Sequence, residues 1–192
     1  MMDVLEAIRT RRSIGRVKKD AVEKELIEEI IEAACWAPSH HNTQPWTFIV
    51  MTGAGRERLG EGYARVAAAG LTDVSAEQLE EKLAKERAKA MRAPVVIAAV
   101  CSPSGDPRAA LAEELAAAQA AVQNLLLAAH AKGLAAIWRS GDPMYHPLMK
   151  EAFGLQAEQQ LVGLIYVGYP DVPVWPNIQR SQSASKTIWL EQ

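Results

Sequence analysis

The sequence predicts a mixed fold of helices and strands, α+β or α/β, built as one domain over residues 1–192. Three observations predict it. Runs with helical period alternate along the chain with short apolar, β-branched runs. Hydrophobic residues make up 49% of the chain, enough for one sizeable core. Clusters of Gly, Pro, Asn and Ser punctuate the runs, and no internal repeat is present.

The elements follow in order. Residues 3–11 form a short amphipathic helix with Val4, Leu5 and Ile8 on one face, running straight into Arg11-Arg12-Ser13. A polar turn with Gly15 and Lys18-Lys19-Asp20 follows. Residues 21–36 place Leu26, Ile27, Ile30, Ile31 and Ala34 on one helical face and Glu23, Lys24, Glu28 and Glu29 on the other; Pro38 ends that helix. Residues 38–45 are a polar loop between two prolines, and 46–52 have strand composition. Gly53, Gly55, Gly60 and Gly62 loosen the next piece, before an exposed, charged helix over 75–91. Pro94 opens the run 95–101, apolar on both faces and so a central, covered strand. An alanine-rich helix spans 109–132 with Gly133 as its C-terminal cap; it is apolar almost all round, which implies burial, in part against another subunit. Residues 134–138 and 161–168 supply two further strands, with a short helix over 144–153 between them. The tail 171–192 is rich in Pro, Ser and Gln yet carries Trp175, Ile178, Ile188 and Trp189, a content that predicts docking on a partner subunit rather than disorder.

Composition excludes several function classes. A net charge of −2 gives no reason to expect a nucleic-acid partner. The first residues carry acids where a secretory leader needs bases, and the apolar stretch 115–131 is interrupted by Gln119, Gln123, Asn124 and His130; the expectation is a cytoplasmic protein with no membrane span. Cys35 and Cys101 are isolated thiols at the ends of apolar elements, read as small buried hydrophobes. No Gly-x-Gly-x-x-Gly, phosphate-binding P-loop, zinc-ligand spacing or nucleophile elbow occurs. His40 and His41 are adjacent, which points their rings apart and disfavours a shared metal.

Three polar clusters remain. Arg11-Arg12-Ser13 can hold a phosphate through bidentate, charge-assisted bonds, or can be a solvated basic helix end. The loop from Pro38 to Trp46, with Ser39, His40, His41, Asn42, Thr43 and Gln44, is either a ligand contact or an ordinary surface turn. Trp138-Arg139-Ser140-Gly141 follows an apolar strand at its carboxyl end, where Trp138 can lie over a flat ring, or can be core with Arg139 on the surface.

Taken in register, these clusters resemble the nitroreductase family. The resemblance runs from residue 3 to about 170 and rests on Arg11-Arg12-Ser13, Ala37-Pro38-Ser39 leading to Asn42-Thr43-Gln44-Pro45-Trp46, the segment from Gly133 to Gly141, and Val167-Gly168-Tyr169-Pro170. Within the family the chain is similar to the short bacterial NAD(P)H nitroreductases. The resemblance implies a three-layer α+β fold, with a mainly antiparallel central sheet flanked by helices, and an intertwined homodimer with FMN at the interface. It implies FMN contacts from Arg11, Arg12, Ser13, Trp138, Arg139 and Ser140, from Trp36 and His40 across the subunit boundary, and from Asn42 and Gln44. It aligns 128–133 with a nicotinamide-nucleotide segment. The implied activity passes hydride from NAD(P)H through flavin N5 to a nitroaromatic, quinone or similar acceptor by ping-pong kinetics, with no catalytic residue of the protein's own and no metal. Other flavin chemistry (dehydrogenation or flavin modification) and a non-enzymatic FMN-binding role are the competing expectations. Gly15 stands where many members have a basic residue, and 53–93 carries no readable motif for the acceptor.

Overall fold

The computed structural model describes residues 2–172 and 177–191. Its centre is a four-stranded, wholly antiparallel sheet in the order β1-β2-β4-β3. The strands are β1 (Trp46–Thr52), β2 (Val95–Cys101), β3 (Ala135–Arg139) and β4 (Gln160–Gly168). Strand β2 is buried at every position, as its two-sided apolar run requires. Its residues alternate between two cores: Val95, Ile97, Ala99 and Cys101 face one helical layer, and Val96, Ala98 and Val100 face the other.

The first layer is α2 (Lys24–Cys35) and α5 (Leu111–Ala131), which bury Ile27, Ile30 and Ala34 against Ala121, Val122, Leu125 and Ala129. The helix α1 (Val4–Thr10) leans on α5, its N-terminus capped by the Asp3 carboxylate, which accepts from the Leu5 and Glu6 amides. The second layer holds α3 (Glu57–Ala69), α6 (Asp142–Tyr145) and α7 (Pro147–Phe153), with α4 (Ala76–Ala88) packed outside α3. Helix–sheet–helix layering of a mixed sequence around an antiparallel sheet is the predicted α+β architecture.

Two elements differ from the sequence expectation. The glycine-rich stretch after β1 is not loose: it is helix α3, in which Gly60 and Gly62 serve packing. A Cβ on Gly62 would lie 2.8 Å from Met149 Sδ and 3.2 Å from Ala152 Cβ of α7, and one on Gly60 would lie 3.2 Å from the Arg87 carbonyl of α4. Close approach of the helices outweighs the low helix propensity of glycine. The helix expected over 144–153 is two, because Pro147 lacks the amide that α6 would need to continue and instead opens α7.

Of the two thiols expected to be buried, Cys101 is, and Cys35 is only half-buried. Cys101 is fully buried, and burial, then the Glu114 charge, pushes its pKa up to about 11, so it stays a thiol. No helix among the described residues is long and apolar enough to cross a membrane. Of the tail's apolar residues, Ile188, Trp189 and Leu190 are 87%, 78% and 95% exposed, while Trp175 lies outside the described residues.

Candidate functional site

The first and third polar clusters meet at the free edge of β3. Ser13 bridges Ala136 in parallel, and the Ile14 amide donates to the Ala136 carbonyl at 3.1 Å. The chain beyond is held at its other end by the Lys18 amide on the Tyr169 carbonyl, 2.9 Å, and by the Arg16–Asp171 ion pair. Arg11-Arg12-Ser13 thus lies alongside the strand that ends in Trp138-Arg139-Ser140.

Alternation along β3 sends its last two side chains to opposite layers. The Trp138 indole enters the α2/α5 layer, rests on Gly163 of β4 and donates from Nε1 to the Val162 carbonyl at 3.1 Å. Arg139 enters the other layer. Its guanidinium lies over the Tyr166 ring, 5.5 Å from the centroid, and beside Gly15, where a Cβ would come within 3.1 Å of it. Gly15 therefore makes room for the arginine. Arg139 Nε is buried and meets no acceptor, which marks an interaction waiting to be completed.

Arg11 is depressed below its ordinary pKa, first by burial, then by the charges of Arg180 and Arg12. Like charges gathered this closely favour an anion between them. Arg12 donates from Nη1 to the Arg9 and Arg11 carbonyls at 2.7 and 2.8 Å, which fixes the turn after α1. His130 of α5 stands behind the pair, with Nε2 2.8 Å from Thr10 Oγ1; burial, then Arg11 and Arg12, lowers its pKa.

The second cluster has its own framework. A 3-10 turn, His40–Asn42, and the residues just after it carry three non-glycine residues in the left-handed region: His41, Asn42 and Gln44, with φ of 51°, 55° and 48°. Such geometry costs on the order of 1 kcal/mol or more per residue and persists only where surroundings enforce it. Here the Gln44 amide donates to Ser39 Oγ at 3.1 Å, Gln44 Nε2 donates to Asn42 Oδ1 at 3.2 Å, and His40 Nδ1 lies 3.1 Å from Glu113 Oε1 on α5. Trp36 is 79% exposed, its Nε1 donating to Glu32. These bonds tie Trp36 to α2, His40 to α5, and Asn42 and Gln44 to the loop itself, not to the arginine cluster of their own chain.

A cleft of about 450 Å³ opens beside Arg139 and Ser140, under α3 and the 3-10 turn Lys89–Arg92. Sequence reasoning passed over its members Tyr63, Lys89 and Arg92, and over Tyr166, whose ring lies under Arg139. The signal was slight: two basic residues just ahead of a buried strand, and one phenol in an otherwise apolar one. The resemblance left Arg180 and Lys186 as candidate substitutes for the tail phosphate contacts of larger family members, although no Lys/Arg pattern marks them, and the charge of Arg180 reaches Arg11.

Comparison with known proteins agrees with this arrangement. A model of the nitroreductase family matches residues 8–169. A protein of Escherichia coli K12 named "Putative NAD(P)H nitroreductase YdjA" is 34% identical over 171 residues, 89% of this chain and 90% of that one. A nitroreductase-like family protein from Bacillus cereus superposes with a TM-score of 0.85 at 28% identity, covering 100% of this chain and 98% of that one. A Desulfovibrio desulfuricans protein described as a "putative nitroreductase in complex with fmn" gives 0.73 at 29% identity, covering 100% and 98%. With the family model spanning both arginine clusters and the sheet that joins them, the chain belongs to the nitroreductase family.

Proposed function

We propose that the protein is an FMN-dependent oxidoreductase that takes hydride from NAD(P)H and delivers it to a nitroaromatic, quinone or similar electrophile. The observation that carries the reading is the docking of the segment after Arg11-Arg12 along the β3 edge, which sets Ser13 on Ala136 and Gly15 against Arg139, with a buried Arg139 nitrogen unsatisfied. Relatives named NAD(P)H nitroreductases and a neighbour solved with FMN support it.

The residues fit FMN. Arg11, Arg12 and Arg180 form the anion site that a phosphate needs, and its binding offsets the burial, and then the repulsion, that depress Arg11. Ser13 and Ser140 offer hydrogen bonds along the β3 edge. Arg139, fixed by Tyr166 and Gly15, is the cation available to a flavin's polar edge, where positive charge favours the reduced form. FMN held there would supply the hydride carrier between the nicotinamide and the acceptor, the basis of a ping-pong cycle. The protein's part is binding, orientation and electrostatics, so no side chain is assigned as general acid or base.

Trp36, His40, Asn42 and Gln44 enter the proposal through a second subunit. Val4, Leu5 and Ile8 of α1 are 62%, 55% and 52% exposed, and β1 is an edge strand that among the described residues pairs on one side only. An intertwined homodimer covers both, gives the exposed Ile188-Trp189-Leu190 tail a seat on the partner, and brings one chain's strained loop to the other's arginines; sedimentation as a monomer at micromolar concentration removes it. The experiment for the whole reading is the visible spectrum of the purified protein. The expected result is flavin absorption that bleaches on adding NADH or NADPH and returns with a nitroaromatic. A colourless protein that takes up no FMN on titration refutes it.

A further inference from the structure

The arginine site at the end of α1 is backed by a buried titratable group. His130 lies in the last turn of α5 and is 8% exposed. Its Nε2 is 2.8 Å from Thr10 Oγ1, and that hydroxyl donates to the Glu6 carbonyl at 2.7 Å. A hydroxyl has one proton to give, so Thr10 accepts from the ring, and Nε2 carries the hydrogen. Thr10 ends α1 and is joined directly to Arg11. The imidazole therefore holds the turn from which Arg11 and Arg12 project. Burial, then Arg11 and Arg12, oppose a charge on the ring, while Glu6 of α1 favours one. On its own helix, Lys132 is engaged by Glu29 of α2, and the carbonyl end of α5 favours a cation. The ring thus stands among cations whose field a bound dianion cancels.

We propose that His130 is the positioning residue of the anion site and its proton partner: it fixes the last turn of α1 through Thr10, and it takes up one solvent proton when a phosphate or sulfate dianion settles among Arg11, Arg12 and Arg180. By reciprocity the anion binds more tightly once the ring is charged. The link to FMN rests on the function proposed above; the anion site does not.

Two measurements on the full-length chain, freed of flavin, test this. The first follows the His130 Cε1 proton by NMR from about pH 8 to 5, in sulfate and in sodium chloride of equal ionic strength. The signal is assigned by its loss in His130→Gln. Sulfate stays a dianion over this range, so the ring alone titrates at the site. Its midpoint should rise by about one unit in sulfate, equivalent to at most a tenfold tightening of the anion across the range. An unmoved midpoint, or no sulfate binding, overturns the proposal.

The second compares dissociation constants of FMN and of riboflavin, which lacks the phosphate, by fluorescence at about pH 8. His130→Ala removes the donor to Thr10 and should weaken FMN by about tenfold and riboflavin by less than about threefold. The side-chain amide of His130→Gln can donate to Thr10 in its place, so it should rescue most of that loss without restoring the pH dependence of sulfate binding. Equal losses for the two flavins, or no rescue by glutamine, make His130 a general packing residue and overturn the proposal. A chain that shows the sulfate shift and takes up neither flavin refutes the FMN reading and upholds the anion site.

Discussion

Replacing Gly163 by alanine places a methyl group where an indole already sits. The new Cβ would lie 2.0 Å from Trp138 Nε1 and 2.4 Å from its Cδ1. The backbone cannot yield much, because Gly163 pairs with Ala99 on β2 while its neighbour Leu164 pairs with Arg139 on β3. The indole must therefore leave. It gives up the bond from Nε1 to the Val162 carbonyl and its packing in the α2/α5 layer. Overpacking of this kind costs about 1–3 kcal/mol, and the lost hydrogen bond adds about 1 kcal/mol. A total of about 3 kcal/mol corresponds to a fall in Tm of roughly 6–12 °C for a domain of this size. Urea unfolding of the apo protein measures it, with an FMN titration alongside, since a displaced Trp138 drags Arg139 and Ser140 with it. The double-mutant cycle with Trp138→Ala is the sharper check: without the indole, Gly163→Ala should cost less than about 1 kcal/mol. Equal costs in the two backgrounds, or no shift in the single variant, refute the steric account.

Two further outcomes follow from the arginine cluster. Arg11→Ala should weaken FMN binding by about 1.5–3 kcal/mol, the range for hydrogen bonds to a charged group, as read by fluorescence titration; flavin occupancy equal to wild type removes Arg11 from the site. The pH dependence of stability should carry the mark of His130, whose folded pKa is lowered by burial, then by Arg11 and Arg12. Below the ordinary histidine range near 6.5 the unfolded chain takes up a proton that the folded chain resists, so stability is full above that pH and falls as pH drops toward the lowered folded value. Urea midpoints of the apo protein from about pH 8 to 5 measure the slope; it should flatten in His130→Gln, and a slope that persists there assigns it to other groups.

Much of this was legible in the chain because local pattern and tertiary role agree. The two-sided apolar run Val95–Cys101 becomes the buried central strand, and the one-sided face of α2 becomes core. Arg11, Arg12, Arg139 and Ser140 could be singled out because charged and polar residues directly after apolar elements need a reason to be there. What was hidden depends on contacts distant in sequence. Gly60 and Gly62 read as breakers, since the Met149 and Arg87 that press on them lie far along the chain. The Trp138 side chain reads equally as a ring-stacking group or as core until Gly163 shows which layer receives it. Arg92 carries only the slight mark of a basic residue just ahead of a buried strand; the tertiary fold brings it to the cleft that Arg139 lines.

The placement of Arg139 follows from the same alternation that fixes Trp138. A strand sends successive side chains to opposite faces, so anchoring one residue in one layer commits the next to the other. Trp138 is the anchor: its indole fills the space that Gly163 leaves and its Nε1 is tied to Val162. Arg139 is then aimed at the second layer, where Tyr166 supports it from below and the missing side chain of Gly15 leaves it room. Two glycines far apart in sequence thus set one guanidinium, one by admitting its neighbour and one by admitting the arginine itself. A charged group held this way by a strand and by rigid aromatic contacts does not have to be reorganised when a ligand arrives, which is the condition under which an electrostatic contribution to binding or hydride transfer is largest.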